Sequence, residues 1–181
     1  MGRLLVTALC SLDGYIADAE GSFEFAFPSP EVHQAVNDLE RPVGTQLLGR
    51  RTAEIMTYWD TASTEGDEPE ADFARVWQGL DKVVYSTTLA EVTAPRTRLE
   101  RSFDADAVRA LVESSERDVE IGGPTLAAEA WRAGLIDEVR LFLMPVLVGG
   151  GLPALPDGVR TRLRLLGQRT FPDGTVLLRH A

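Results

Sequence analysis

The feature that most constrains the fold is the alternation of apolar, strand-like segments with helix-like segments along almost the whole chain. Short apolar runs predict buried strands, whereas apolar residues at helical spacing predict helices. The predicted strands are 4–9, 45–48, 81–86, 97–102, 119–121, 139–146, 163–170 and 175–179, and the predicted helices are 30–39, 50–59, 104–115 and 125–134. The last two strands are joined by the turn Pro172-Asp173-Gly174. This order predicts a three-layer α/β/α fold with a mixed, mostly parallel central sheet and a C-terminal antiparallel hairpin.

Length and composition limit the classes of partner. The 181 residues predict one domain, residues 1–181, with a substantial core. The net charge of −10 argues against nucleic acid or an anionic membrane, because either would require a basic patch. Cys10 is the only cysteine, so an intrachain disulfide cannot form and we expect no metal site. Without a recognisable signal pattern or a long apolar stretch, the expected location is the cytoplasm. The expected partner is a small-molecule substrate.

The segment Ile121-Gly122-Gly123-Pro124-Thr125-Leu126 joins a predicted strand directly to a predicted helix. Paired glycines leave the turn free of Cβ atoms, and the start of the helix presents free N–H groups and the positive end of its dipole. This arrangement suits a phosphate group. The pattern is shorter than a full dinucleotide-binding fingerprint, so the turn alone could equally serve helix–sheet packing.

Two further turns follow predicted strands in the same way. Gly49-Arg50-Arg51-Thr52 offers two guanidinium groups and a hydroxyl, and Ser86-Thr87-Thr88 offers three hydroxyls. Taken separately, each turn is also explained by ordinary turn chemistry or by an exposed helix surface. Ligands of open α/β sheets bind outside the carboxyl ends of the strands, so the three turns together predict one nucleotide-binding crevice.

The four segments 11–17, 48–54, 121–126 and 134–139 together resemble the dihydrofolate reductase superfamily. Most similar is the branch that contains the C-terminal reductase domain of the bifunctional riboflavin-biosynthesis deaminase/reductase. The last segment is followed by 145–151, and the order and spacing of the segments match over nearly the whole chain. The resemblance implies a dihydrofolate-reductase-like, NADPH-binding fold with a sheet of about eight strands. It also implies a homodimer, for which 141–147 and 149–155 are candidate contact segments.

The resemblance further implies which residues bind NADPH. The residues implied to bind the pyrophosphate and the neighbouring phosphate are Gly49, Arg50, Arg51 and Thr52. Those implied to lie near the adenosine ribose and its 2′-phosphate are Ser86 and Thr87. Those implied to pack on the pyrophosphate and nicotinamide half are Gly122, Gly123, Pro124, Thr125 and Leu126. Ala8 would line the nicotinamide pocket, and Ile16 belongs to the segment that matches a mobile loop closing over it.

The predicted substrate-binding residues differ from those of true dihydrofolate reductases. Those enzymes carry an acid in the first turn of the first helix, which pairs with the pterin ring. Only Glu31 could take that role here, at an imperfect spacing. Asp13 is the candidate catalytic residue and could orient the substrate or relay a proton, although Asp-Gly is also a common turn dipeptide. Tyr15 could stack on a flat heterocycle, and Trp59 could border the pocket or pack in the core.

The leading hypothesis is an NADPH-dependent oxidoreductase that transfers a hydride to a small pteridine- or pyrimidine-type heterocycle. Two alternatives stay open. The chain could be a non-catalytic nucleotide-binding module of the same fold, or a true dihydrofolate reductase that uses Glu31.

Overall fold

The computed structural model describes all residues from 1 to 181 and contains ten β-strands and five α-helices. The strands are β1 Leu4–Ser11, β2 Tyr15–Ala17, β3 Val43–Gly49, β4 Asp81–Tyr85, β5 Thr97–Glu100, β6 Asp118–Gly122, β7 Glu138–Met144, β8 Leu152–Pro153, β9 Leu165–Thr170 and β10 Val176–His180. The helices are α1 Pro30–Glu40, α2 Arg50–Met56, α3 Pro69–Gln78, α4 Ala105–Ser114 and α5 Pro124–Arg132. Short 3-10 helices lie at Glu24–Ala26 and Thr57–Asp60. None of the helices has both the length and the apolar character needed to cross a bilayer.

Eight strands form one mixed sheet in the order β5-β4-β3-β6-β1-β7-β10-β9. The first six of these run parallel to one another, and β10 runs antiparallel to both β7 and β9. The predicted mostly parallel sheet with a C-terminal hairpin is therefore confirmed. The short strands β2 and β8 form a separate antiparallel pair.

Helices cover both faces of the sheet, so the predicted three layers are also confirmed. On one face, Val32 of α1 packs with Phe142 of β7, and Trp77 of α3 packs with Leu48 of β3. On the opposite face, α4 and α5 pack over Ile121 of β6 and its neighbours. Each fully buried side chain of this size stabilises the fold by roughly 1.5–3 kcal/mol relative to an exposed one. The two apolar layers fix the position of the strand ends from which the crevice is built.

Helix α3 is the helix that the sequence pattern did not predict. The sequence predicts a surface loop over the acidic segment 64–70, and the structure begins α3 inside that segment, with Pro69 in the first turn. Phe73, Ala74 and Trp77 are buried against the sheet at helical spacing. The run of acidic residues before them concealed this short amphipathic pattern.

Strand β7 lies inside the sheet, paired with β1 on one side and with β10 on the other. Because its backbone groups are already hydrogen-bonded on both sides, β7 has no free edge, so a dimer contact by segment 141–147 cannot be strand-to-strand pairing along β7. The free edges of the sheet are β5 and β9.

Candidate functional site: the crevice between β1 and β6

A crevice opens where β1 and β6 separate towards their carboxyl ends. The two strands are in register only at Leu4↔Val119 and Leu5↔Glu120. Beyond this point β6 continues into α5 on one face of the sheet, whereas the chain that leaves β1 forms α1 on the other face. Such a change of direction between neighbouring strands is a topological switch point, where open α/β sheets bind their ligands.

The crevice contains a mainly apolar cavity of about 180 Å³. Its lining residues are Val6, Thr7, Ala8, Leu9, Ile16, Gly123, Pro124, Ala127 and Ala154. Four of them, Ala8, Ile16, Gly123 and Pro124, belong to the predicted cofactor-binding set, so the structure brings together residues from three separate segments of the chain. An apolar cavity of this size suits one flat ring.

Gly122 and Gly123 allow β6, α2 and α5 to meet at the edge of the cavity. Gly123 has a φ of 91°, and a Cβ there would collide with Oγ1 of Thr52. A Cβ on Gly122 would lie 2.9 Å from Cδ2 of Leu48. Both positions therefore need glycine for packing, and the same glycines leave the N–H groups of the first turn of α5 uncovered beside the cavity.

The other predicted residues of these two turns divide between core and surface. Leu126 is buried in the core cluster beneath α5, and its Cβ would lie 3.8 Å from a Cβ placed on Gly49. Thr125 is exposed in the first turn of α5. Thr125 can therefore reach a ligand directly, whereas Leu126 and Gly49 act through packing.

The two arginines of the α2 turn have different surroundings. Arg50 donates to Oγ1 of Thr88 at 2.8 Å and to Oε1 of Glu54 at 2.7 Å. Arg51 is exposed and forms no ion pair, and its Nη2 lies 3.1 Å from the position of a Cβ on Gly21. Arg50 thus connects the α2 turn to the β4 turn, while Arg51 keeps an uncompensated positive charge.

The turn after β4 is built around the buried side chain of Ser86. Its Oγ accepts hydrogen bonds from the backbone N–H groups of Thr88 at 3.2 Å and Leu89 at 3.1 Å. Thr87 is exposed at the tip of the turn. Ser86 therefore shapes the turn, and the hydroxyls of Thr87 and Thr88 are the ones at the surface. The resemblance did not include Thr88 in the binding set. We add it as a candidate because its hydroxyl accepts a hydrogen bond from Arg50.

Asp13 is exposed and binds backbone rather than another catalytic group. Its carboxylate accepts hydrogen bonds from the N–H of Gly149 at 2.8 Å and of Val148 at 3.2 Å. A hydrogen bond with the Ser11 side chain, together with these two N–H donors, lowers the pKa of Asp13 below its ordinary value. Asp13 is consequently ionised at neutral pH and cannot act as a proton donor there.

The loop that carries Asp13 is tied to the segment around the three consecutive glycines. The N–H of Leu12 donates to the carbonyl of Val146 at 2.8 Å, and the N–H of Ala154 donates to the carbonyl of Gly14 at 2.9 Å. The β2–β8 pair adds to these bonds and holds Ile16 against the cavity. These contacts hold the loop in place with Ile16 in the cavity lining.

Glu31, Trp59 and Tyr15, the other predicted substrate contacts, do not line the cavity. Glu31 is exposed in the first turn of α1 and forms no ion pair. Trp59 is half-buried and packs edge-on against Phe73, with ring centroids 4.7 Å apart. The structure therefore brings neither Glu31 nor Trp59 into the lining of the cavity, and Tyr15 precedes the lining residue Ile16 in β2.

A buried polar cluster that the sequence did not predict borders the cavity on the α1 side. Thr7 lines the cavity and donates to Oε2 of Glu120 at 2.9 Å, and Gln46 donates to Oε2 of Glu40 at 3.0 Å. Burial of the Glu40 carboxyl holds its pKa well above the ordinary value. The charge of Glu120 and a hydrogen bond with Glu120 raise this pKa further. The available signal was a glutamate inside the apolar strand segment 119–121.

Comparison with known proteins agrees with this architecture. A putative riboflavin biosynthesis protein from Shewanella sp. PV-4 superposes with a TM-score of 0.76 at 22% identity, covering 98% of this chain and 97% of that one. A diaminohydroxyphosphoribosylaminopyrimidine deaminase/5-amino-6-(5-phosphoribosylamino)uracil reductase from Thermotoga maritima superposes with a TM-score of 0.69 at 17% identity, covering 99% of this chain and 56% of that one. A dihydrofolate reductase from Enterococcus faecalis, complexed with NADP(H), superposes with a TM-score of 0.65 at 14% identity, covering 99% of this chain and 95% of that one. The fold is therefore that of dihydrofolate reductase, as predicted.

Sequence comparison extends this likeness from fold to family. The family model described as the RibD C-terminal domain matches residues 3–177, which is almost the entire chain. The match confirms the predicted resemblance to the riboflavin-biosynthesis reductase branch. The chain belongs to the family of RibD C-terminal domains.

Proposed function

We propose that this protein is an NADPH-dependent reductase that acts on a small pteridine- or pyrimidine-type heterocycle. The observation that carries the proposal is the crevice at the β1–β6 switch point, where a cavity for a flat ring adjoins turns rich in hydrogen-bond donors. Support also comes from the named relatives, of which one is a reductase of a pyrimidine compound and another a dihydrofolate reductase in complex with NADP(H).

The donors around the crevice fit a phosphate-bearing dinucleotide. Arg51, Thr52 and the N–H groups at the start of α5 would bind the phosphates, and Thr87 would lie near the adenosine ribose. Ala8 and Ile16, which both line the cavity, would contact the nicotinamide ring. The net charge of −10 does not oppose this, because charges act mainly within a screening length of about 8–10 Å.

When bound, NADPH supplies a hydride, and the protein's own residues have to align the acceptor and exclude water. Ile16 and Ala154, held by the β2–β8 pair and its neighbouring hydrogen bonds, would enclose the reacting rings. Alignment of this kind can account for much of the rate enhancement of a hydride transfer. Asp13 would position the loop and the substrate, and a bound water would supply the proton.

The two alternatives differ from this proposal in specific measurements. A non-catalytic module would bind NADPH but would not oxidise it with any pteridine or pyrimidine acceptor. Folate reduction would require Glu31, which lies outside the cavity, so Glu31→Gln should abolish dihydrofolate turnover if that alternative holds.

The first experiment is a calorimetric titration of the protein with NADPH and then with NADH at the same ionic strength. We expect NADPH to bind more tightly, because its additional 2′-phosphate would lie beside the exposed hydroxyl of Thr87 and near Arg50, which donates to Thr88 in the same turn. Arg51→Ala should weaken NADPH binding by about tenfold or more, which is the size expected for a hydrogen bond to a charged group. Arg109→Ala removes an equally exposed arginine on α4 and serves as the matched control.

Two results would count against the cofactor assignment. One is the absence of binding by either dinucleotide, which would leave only a shared fold. The other is equal loss of affinity in Arg51→Ala and Arg109→Ala, which would mean that Arg51 acts only through the overall charge.

A further inference from the structure

We propose that the protein has a second small-molecule site, which binds an uncharged nucleoside through Lys82. The site is a cavity of about 400 Å³ behind α2, bounded by the 3-10 helix Thr57–Asp60, by β4 and by the loop 89–97. Its volume lies within the usual range for small-molecule sites. It shares no lining residue with the 180 Å³ cavity between β1 and β6, so it is a separate site and does not depend on the function proposed above.

Lys82 is a buried cation whose hydrogen-bonding capacity is largely unused. Its side chain is 3% exposed and lines the cavity, and its one ion-pair partner is Oδ1 of Asp60 at 3.3 Å. That oxygen also accepts the indole N–H of Trp77 at 2.9 Å, and the Trp77 ring lies 5.1 Å from the ammonium. An ammonium group carries three N–H donors, and a buried one is costly unless they find acceptors. The remaining donors of Lys82 are therefore available to an acceptor oxygen in the cavity.

The inner wall of the cavity is apolar and buried, and its outer loop is tied to the rest of the fold. Trp77, Leu48 and Val84 form its inner wall and are all buried. The outer loop is held by Arg101, whose guanidinium donates to backbone carbonyls of the segment 86–90, including that of Ala90 at 3.1 Å. An apolar inner wall beside the Lys82 ammonium favours a flat ring that carries a carbonyl oxygen.

The rim of the cavity is acidic, which limits the charge of the ligand. Glu54 is paired with Arg50 at 2.7 Å, whereas Glu91 is exposed and forms no ion pair. Carboxylates at the rim repel phosphate and carboxylate groups but accept hydrogen bonds from amino and hydroxyl groups. A nucleoside meets these three requirements, whereas a nucleotide does not. Its carbonyl oxygen can accept from Lys82, its flat base can pack on the inner wall, and its O–H and N–H groups can donate to Glu91.

The test uses guanosine and guanosine 5′-monophosphate as probes on the full chain. Binding is followed by the indole N–H resonance of Trp77 in a ¹H–¹⁵N spectrum, which Trp77→Phe assigns among the three tryptophans. We expect a saturable shift with guanosine and a weaker response with the monophosphate. Lys82→Met should weaken guanosine binding by about tenfold or more.

A second variant keeps the proposal falsifiable if Lys82→Met fails to fold. Ala94→Phe fills the cavity from the outer loop, away from the ion pair of Lys82 and Asp60, and should abolish the guanosine shift with little change in melting temperature. No shift at millimolar guanosine would overturn the site. A shift in both Lys82→Met and Ala94→Phe as large as in the original protein would also overturn it. Equal affinity for the monophosphate would overturn the uncharged ligand class.

Discussion

Gly123 is the residue on which the geometry of the crevice depends most directly. Its left-handed φ of 91° turns the chain from β6 into α5, and its missing Cβ makes room for Thr52 of α2. One position therefore sets the distance between two helices and opens the mouth of the cavity. The paired glycines in the sequence predicted the turn, but only the structure identifies Thr52 as the group that a side chain would displace.

Replacing Gly123 with alanine should weaken both the fold and the proposed cofactor site. The left-handed backbone and the collision with Thr52 together should cost about 1–3 kcal/mol, measured by urea unfolding. NADPH affinity should fall as α2 moves away from α5. Gly134→Ala is the matched control, because Gly134 follows α5 at its far end with a φ of 64°, and a Cβ there would meet no atom within 4 Å. This variant should lose stability but keep NADPH affinity, and an equal loss of affinity in both variants would contradict the role given to Gly123.

At the scale of the elements, the sequence predicted the strands and helices that have a clear local apolar pattern, and it missed helix α3 and strand β8. The strand–turn–helix unit at 119–134 was correct because its alternation of pattern, glycines and helix start lies within one continuous segment. Helix α3 was missed because its short apolar face follows an acidic run. Strand β8 was also missed. It has only two residues, and it depends on pairing with β2, which lies far away in the chain.

Strand order was likewise beyond the local pattern. The insertion of β6 between β3 and β1 creates the crevice, and it depends on pairings with distant segments, of which the β1–β6 pairing joins Leu4 to Val119. That the turns after β3, β4 and β6 lie at one edge of the sheet was predictable, because parallel strands have their carboxyl ends at the same edge. Glu31 and Trp59, two of the predicted substrate residues, do not line the cavity, and the local sequence pattern could not show this because their orientation depends on packing.

The contact between α1 and β6 predicts an unusual pH dependence of stability. Glu40 of α1 is buried against Glu120 of β6, with Arg140 and Gln46 nearby, and its pKa in the folded protein is raised well above the ordinary 4.5. The folded state therefore retains a proton that the unfolded chain loses above pH 4.5. The stability that Glu40 contributes is complete below that pH and is lost as the pH rises towards the raised pKa.

Glu40→Gln should remove this pH dependence, because the amide cannot ionise but can still bind its neighbours. The variant should gain stability relative to the original protein by up to about 1.4 kcal/mol for each pH unit of this window, measured by chemical denaturation over a pH series. Glu31→Gln changes an exposed carboxylate on the same helix and is the control. Parallel stability curves for Glu40→Gln and the original protein would contradict the account of the α1–β6 contact.

For the whole molecule, the free edge of β9 is the surface best suited to the homodimer that the family resemblance implies. Strand β9 pairs only with β10, and it exposes Leu165 and Leu166, which are 51% and 38% accessible. An unpaired edge with apolar side chains favours association with another strand. The exposed Leu147, after β7, belongs to 141–147, one of the two contact segments expected from the sequence.

Light scattering of the purified protein should therefore show a dimer that depends on β9. A lysine at position 165, Leu165→Lys, should give a monomer because a charge on an edge strand opposes pairing. The variant Leu147→Lys places the same charge on the rival segment and should leave the dimer intact. A monomeric original protein, or dissociation by Leu147→Lys alone, would exclude the β9 interface.

The most direct test of the central claim is a crystal structure of the protein with NADP⁺ at saturating concentration. We expect the nicotinamide ring in the 180 Å³ cavity, in contact with Ala8 and Ile16, and the pyrophosphate at the Gly122–Gly123 turn near Arg51. Density for the dinucleotide elsewhere on the protein, or an empty crevice in crystals whose lattice leaves it open, would contradict the assignment of this crevice as the cofactor site.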